Sequence, residues 1–182
     1  MPWANLPSRL RRFALQKGSY NTQSMFERYT EPARRAIFFA HALALFSEAP
    51  EITSVDLLAA LLWEDSSRAQ TLFNLREYFP MYCGCPHKVA ALPKGPDGPP
   101  LSPDSKQVLA WTASEANRLG DYWIDTEHLL LGLVRTQNCT ASSYLGRIGL
   151  TARSIRKTIQ VNKHSRPDYG PVSRWWRLMR YF

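Results

Sequence analysis

An internal repeat constrains this chain more than any other feature. Laying Ala44 on Ala116, an offset of 116 − 44 = 72, makes the hydrophobic pattern of one stretch fall on the other without a gap from Tyr29 to Leu62. Ile52 meets Ile124, Leu57 meets Leu129, Leu58 meets Leu130 and Leu61 meets Leu133. Conservative pairs follow the same register: Thr30 with Ser102, Arg34 with Lys106, Ile37 with Leu109, Phe39 with Trp111, and Ser54 with Thr126. A period of this kind means two similar supersecondary units in one chain.

The stretch from Pro86 to Pro100 separates the copies. Its many prolines fix φ and remove backbone donors, so it reads as a loop or semi-extended linker. The organisation is therefore a basic extension (1–24), a first repeat (25–85), the Pro/Gly-rich linker (86–100), a second repeat (101–161) and a basic aromatic tail (162–182).

Each repeat opens with the same chemistry. Thr30 or Ser102 can accept a bond from an orphan amide as N-cap, and Pro32 or Pro103 sits in the first turn, where a missing N–H costs little. Apolar or small residues recur at helical spacing after it: Ala33, Ile37, Ala40 and Ala44 in one copy, Val108, Leu109, Thr112 and Ala116 in the other. A second start follows at Thr53-Ser54-Val55-Asp56 and at Asp125-Thr126-Glu127-His128, with a capping side chain and carboxylates near the positive end of the helix dipole. Leu57, Leu58, Leu61 and Leu62, and Leu129, Leu130, Leu131 and Leu133, supply the buried face. Further helices are expected over about Ser67 to Tyr78, Thr140 to Ile148 and Thr151 to Gln160. No segment carries a strong strand signal, so the expected fold is all-α, with about eight helices in two repeats related by a pseudo-two-fold axis.

With 182 residues, 45% of them hydrophobic, the chain can fill one core of ordinary size. The longest apolar stretch, Ala36 to Phe46, is interrupted by His41 and falls well short of the ~20 residues of a spanning helix. The formal charge of +8 is uneven: +4 in 1–24, −3 in 25–151 (11 basic, 14 acidic) and +7 in 152–182 (8 basic against Asp168). Suspicion of nucleic acid or anionic membrane binding therefore attaches to the arms rather than to the body.

Cys83, Cys85 and Cys139 are odd in number, and no apolar secretory segment follows Met1. The expected setting is reducing and cytoplasmic, although the acid-free, Arg-bearing start also fits part of an organelle transit peptide. Met25 falls where relatives of the family named below commonly begin, so residues 1–24 read either as an extension with its own binding role or as an upstream start.

The run Met25-Phe-Glu-Arg-Tyr-Thr-Glu-Pro-Ala-Arg-Arg-Ala-Ile37 resembles the opening of Clp amino-terminal (Clp R) domains. The second copy is closer to that family: Glu115-Ala-Asn-Arg-Leu-Gly120, Ile124-Asp-Thr-Glu-His-Leu-Leu-Leu-Gly-Leu133 and Ala141-Ser-Ser-Tyr-Leu-Gly-Arg-Ile-Gly-Leu150. The resemblance covers roughly residues 25 to 161. It implies two repeats of about four helices and a role in capturing substrates or adaptors for a Clp unfoldase. The chain has no G-x-x-x-x-G-K-[ST] loop to cradle nucleotide phosphates, so the implied role is recognition without an ATPase of its own. Members of the ClpC branch bind phosphorylated arginine through the Glu of the Thr-Glu-His run. A carboxylate accepts a guanidinium through two parallel bonds. The resemblance therefore points to Thr126, Glu127 and His128 in the second repeat and to Ser54, Val55 and Asp56 in the first. There Val55 replaces the Glu and Asp56 stands where His128 does, so one of the two sites is expected to be lost. Read as a residue alone, Glu127 is also an ordinary helix-start carboxylate.

Other constellations are weaker. Cys83-Gly-Cys85 with His87 could hold zinc if Cys139 completed a tetrahedron, but the spacing is not a familiar structural pattern, and linker thiols are the plainer reading. His41, His87, His128 and His164 have no nucleophile beside them in a recognisable motif. We read neither an enzyme nor a metal or cofactor site. The tail Ser173-Arg-Trp-Trp-Arg-Leu-Met-Arg-Tyr-Phe182 interleaves Arg174, Arg177 and Arg180 with Trp175, Trp176 and other apolar groups. It can dock on the helical body, lie on an anionic membrane surface, or bind a partner or nucleic acid by charge and stacking. The expected partners are Clp unfoldase or protease components, adaptors or client proteins, with membrane or nucleic acid contact through the arms as the alternative.

Overall fold

A computed structural model describes residues 26–80 and 98–165. Eight α-helices follow one another: α1 (Glu31–Phe46), α2 (Ser54–Trp63), α3 (Arg68–Phe73), α4 (Leu75–Tyr78), α5 (Pro103–Leu119), α6 (Thr126–Arg135), α7 (Thr140–Arg147) and α8 (Ala152–Val161), with a final 3₁₀ turn at Lys163–Ser165. Among the described residues there is no strand beyond two isolated bridges, so the fold is all-α.

The register read from the sequence governs the helix starts. Adding 72 to Glu31, Ser54 and Arg68 gives Pro103, Thr126 and Thr140, the first residues of α5, α6 and α7. The caps match as well. Thr30 accepts from Ala33 N and Ser102 from Ser105 N. Thr53 and Asp56 form a capping box, answered by Asp125 and His128. The third pair was not foreseen: Ser67 caps α3 through its hydroxyl, and Cys139, its counterpart at 67 + 72, caps α7 with its thiol accepting from Ser142 N at 3.4 Å. Cys139 is thus a buried structural cap. Cys83, Cys85 and His87 lie outside the described residues, and among the described residues no cluster of His, Cys, Asp or Glu is arranged to hold a metal.

The helix expected over Ser67–Tyr78 is broken in two. Asn74 adopts the left-handed conformation (φ 47°, ψ 43°), which ends α3 and starts α4. An Asn tolerates that conformation better than most side chains, and the turn places Leu75 in the core with no exposure. The repeat register stops here, because α4 falls opposite the end of α7 and not opposite α8.

α2 and α6 form the centre. Leu57, Leu58, Ala59, Ala60, Leu61 and Leu62 are all buried, as are all residues from Thr126 to Leu133. A helix buried around its whole girth needs neighbours on every side. α1 covers α2, α5 covers α6, and α2 and α6 meet across the middle, with α3 against α6 and α7 against α2. The cover helices approach through small residues. Ala33, Ala36, Ala40 and Ala44 are the buried residues of α1. In the other half the contact is closer: a Cβ on Gly132 would lie 2.2 Å from Thr112 Oγ1 and 2.5 Å from the Val108 carbonyl. The same positions in the first half hold Ala60 and Ala40 (60 + 72 and 40 + 72), so a Gly–Thr pair replaces an Ala–Ala pair.

The segments that precede the helices tie the halves together. Tyr29 bridges Ile124, and Ile52 bridges Leu101, both in parallel. Subtracting the offset converts one pair into the other, since 29 + 72 = 101 and 52 + 72 = 124. The bonds obey the same symmetry. Thr30 N donates to Ile124 O (2.8 Å) and Ile124 N to Arg28 O (2.7 Å), while Ser102 N donates to Ile52 O (3.0 Å) and Ile52 N to Pro100 O (2.8 Å). Residue i meeting j while the copy of j meets the copy of i is the signature of a two-fold contact.

Two substitutions test this packing. α1 and α5 end alike: Glu48 (φ 53°) and Gly120 (φ 70°) are counterparts at 48 + 72, both left-handed. Glu48 is exposed. Glu48→Gly should stabilise the fold by about 0.5–1 kcal/mol, the left-handed penalty less the entropy glycine returns to the unfolded chain. Gly132→Ala should destabilise by roughly 1–3 kcal/mol, because the clash includes a backbone carbonyl. Urea titration of both variants measures each effect.

Candidate recognition site at the paired helix starts

The two helix starts singled out in the sequence differ in their burial and in the partners of their side chains. At the start of α2, Asp56 Oδ2 accepts from Thr53 N (2.8 Å) and from Thr53 Oγ1 (2.7 Å). Ser54 is buried, and its amide donates to Asp104 Oδ2 of the second repeat at 3.3 Å. Val55 and Asp56 are half-buried and form the more open of the two starts.

At the start of α6 every side chain is enclosed: Asp125, Thr126, Glu127 and His128 are all buried. Asp125 Oδ1 accepts from Thr126 N (2.7 Å) and from Thr30 Oγ1 (3.0 Å), which links the cap of α6 to the cap of α1 in the other repeat. Thr126 Oγ1 accepts from Ala69 N of α3 (3.2 Å). His128 takes the place usually held by Glu in a capping box: its Nδ1 accepts from Asp125 N at 2.9 Å. That bond assigns the proton of the neutral ring to Nε2, which lies 3.2 Å from Asp121 Oδ2. Asp121 in turn meets Lys163 at 3.0 Å.

Glu127 is held from the other repeat. Arg68, the first residue of α3, places Nε 3.1 Å from Glu127 Oε1, and its guanidinium also donates to the Asn162 carbonyl at 3.2 Å. A guanidinium of the chain itself therefore occupies the position that the sequence reading gave to an arginine-bearing ligand. The partner was missed, although the repeat contained a sign of it. The counterpart of Arg68 is Thr140, and a cation at the first residue of a helix opposes the dipole unless an anion answers it. The counterpart of Glu127 is Val55, so both halves of the pair are absent at the α2 start. Burial, with the Asp125 charge beside it, raises the Glu127 carboxyl above the ordinary carboxylate range.

A second buried carboxylate behaves in the opposite way. Burial acts to raise Glu115 too, but Arg156 (2.7 and 2.9 Å) and Arg135 outweigh it and hold the carboxyl below its ordinary range. Arg135 is itself stacked 3.7 Å over the Trp111 ring. This cluster ties α5, α6 and α8 together. The tail residues Arg174, Trp175, Trp176, Arg177 and Arg180 lie outside the described residues.

Residues 87–165 match the family model of the Clp repeat (R) N-terminal domain. Less than half of the chain, 79 of its 182 residues, is therefore similar to that family by its model. Outside that segment, similarity extends over most of the chain. The rice chloroplastic chaperone protein ClpC2 is 28% identical over 79% of this chain and 16% of its own length. An uncharacterised Mycobacterium tuberculosis protein is 32% identical over 62% of this chain and 45% of its own. The chain thus spans less than half of these curated relatives. Among solved structures, the N-terminal domain of the ClpV1 ATPase of the E. coli EAEC Sci1 T6SS has a TM-score of 0.58 at 18% identity, over 84% of this chain and 96% of that one. The N-terminal domain of Arabidopsis thaliana ClpD has a TM-score of 0.53 at 22% identity, over 76% and 99%. A structure of a peptide from the EAEC T6SS Sci1 SciI protein gives 0.57 at 19%, over 85% and 100%. These likenesses establish the Clp N-domain fold. No described helix is long and apolar enough to cross a membrane.

The two carboxylates give opposite pH signatures. Glu127 binds its proton more tightly in the folded state, so its contribution to stability falls as pH rises through and above the ordinary carboxylate range. Glu115 binds its proton less tightly when folded, so its contribution is present above that range and lost as pH falls below it. Urea unfolding from pH 3 to pH 8 should show the stability difference between the parent and Glu127→Gln shrinking with pH, and that for Glu115→Gln growing.

Proposed function

We propose that this chain is a non-catalytic protein-recognition module that serves a Clp AAA+ protease or chaperone in the cytoplasm, without nucleotide or metal. Residues 25–85 and 101–161 act as its two repeats. One observation carries the reading: the chain is similar in fold, over 76% of its length, to 99% of the ClpD N-terminal domain. Domains of this kind bind substrates and adaptors for Clp unfoldases. The similarity to a structure of a SciI peptide agrees with recognition of short protein segments.

Recognition is proposed at the helix starts, Ser54, Val55 and Asp56 on one side and Thr126, Glu127 and His128 on the other. Glu127 meets a ligand only if Arg68 leaves it. A guanidinium-bearing segment exchanges with Arg68 on equal chemical terms, one charge-assisted pair for another. The α2 start, with Val55, offers no such exchange.

The test is a crosslinking pull-down from native extract with the intact chain, Arg68→Ala and Arg68→Ala/Glu127→Gln, after circular dichroism shows that each variant is folded. The expected result is recovery of a Clp unfoldase, adaptor or client, increased in Arg68→Ala and reduced again in the double variant. Equal recovery in all three would keep the recognition role and remove Glu127 from it. Recovery of lipid or nucleic acid alone would overturn the role itself.

A further inference from the structure

Two links join the start of α6 to the carboxyl end of α8, and they run between neighbours in sequence at both ends. Glu127 Oε1 pairs with Arg68 Nε at 3.1 Å, and the same guanidinium donates through Nη2 to the Asn162 carbonyl at 3.2 Å. His128 Nε2 lies 3.2 Å from Asp121 Oδ2, and Asp121 Oδ1 meets Lys163 Nζ at 3.0 Å. Asn162 is the C-cap of α8, and its amide donates to the Thr158 carbonyl at 3.1 Å. With one group, Arg68 therefore pairs a buried carboxylate and places positive charge at the negative end of the α8 dipole.

That group does not leave one end without the other. A guanidinium is planar and rigid, so a rotation that takes Nε off Glu127 also takes Nη2 off Asn162. Glu127 is also the buried carboxylate that gives up its arginine at lower cost. Burial, with Asp125 beside it, raises its carboxyl above the ordinary range, whereas Arg156 and Arg135 hold Glu115 below that range against the effect of burial. The fold does not need the Arg68–Glu127 pair: Thr140 and Val55 hold the matching positions, and α2 starts from a complete capping box without it.

We propose that Arg68 is a two-position strap that reports occupancy of the Glu127 site to the carboxyl end of α8. With Arg68 on Glu127, the site is closed and the last turn of α8 is capped. When another guanidinium takes the carboxylate, Arg68 swings out and the Asn162 carbonyl loses its donor. The last turn then loosens, while Lys163 still ties it to Asp121. The coupling is reciprocal, so anything that fixes the end of α8 keeps the site closed. The ligand half of this device rests on the recognition proposed above at Glu127; the coupling through Arg68 does not.

Amide hydrogen exchange of the full chain, followed at Val161 and Asn162, reads the strap, because a last turn exchanges by local fraying and not by global unfolding. Arg68→Ala should speed these amides roughly three- to tenfold, the effect of losing a cation at a helix carboxyl end. Glu127→Gln should speed them by less, each variant keeping its circular dichroism spectrum. Because α6 also packs directly on α8, the comparison that decides is Arg68→Ala/Glu127→Gln, which should exchange no faster than Arg68→Ala alone. If the bare carboxylate unfolds Arg68→Ala, the same comparison runs on Arg68→Lys, whose single ammonium cannot span both acceptors. Additive effects, or Val161 and Asn162 unmoved when Arg68 is replaced, would overturn the proposal. N-acetylarginine amide, added to the parent chain, should shift the amide signals of Glu127 and His128 and speed the two α8 amides to the Arg68→Ala rate. Binding there with no change at α8 would overturn the proposal as well. Failure of this probe to bind would instead remove ligand exchange at Glu127 from the recognition reading, and the double-variant comparison would still decide the strap.

Discussion

Two short backbone bridges hold this fold in its two-fold form. Helices α1 and α5 are long enough to form on local propensity and sound caps, but neither covers its own central helix correctly unless the residues just before it are anchored. Those residues are anchored on the opposite repeat: Tyr29 and Thr30 on Ile124, Leu101 and Ser102 on Ile52. Each bridge satisfies backbone groups that a buried extended segment would otherwise leave without partners. The hydrophobic pattern brings α2 and α6 together, and the bridges determine which way round they meet.

Within that shared frame the halves have drifted in their charged interactions. The first repeat joins α1 to the end of α2 through Arg35, which grips Glu64 with two bonds of 2.8 and 2.7 Å. At the matching positions, 35 + 72 and 64 + 72, the second repeat has Gln107 and Thr136. It uses Glu115 with Arg135 and Arg156 instead, drawing in α8, which has no described counterpart. The third pair, Arg68 with Glu127, belongs to neither repeat alone. Pairs that join elements in this way cost more when broken than they contribute when made, so they act mainly to hold one arrangement against alternatives.

The sequence was most informative where local chemistry decides. The caps at Thr30, Ser102, Thr53 and Asp125, the starts of α1, α2, α5 and α6, and the all-helical character follow from side chains within four residues of each helix end. The site was less legible, because Glu127 and its partner are 59 residues apart and no local pattern connects them. The break at Asn74 was hidden for a related reason: the helical run Ser67–Tyr78 is locally sound, and only the pull of Leu75 into the core requires the turn. In the sequence Cys139 stood only as a donor that could complete a zinc tetrahedron with Cys83, Cys85 and His87. Its role appears only when the repeat register is carried six residues beyond the end of the hydrophobic match at Leu62, to Arg68, which sets Cys139 opposite Ser67.

The crossed bridges also set an order in time. Tyr29 waits for Ile124, and Ile52 waits for Leu101. On a ribosome, the first repeat can wind its helices and gather its leucines as soon as they emerge, yet the residues that seat α1 have no partner until the second repeat has reached the start of α6. The amino-terminal half thus stays open at least until Ile124 has emerged, and while it waits its apolar face is open to whatever chaperone attends the emerging chain.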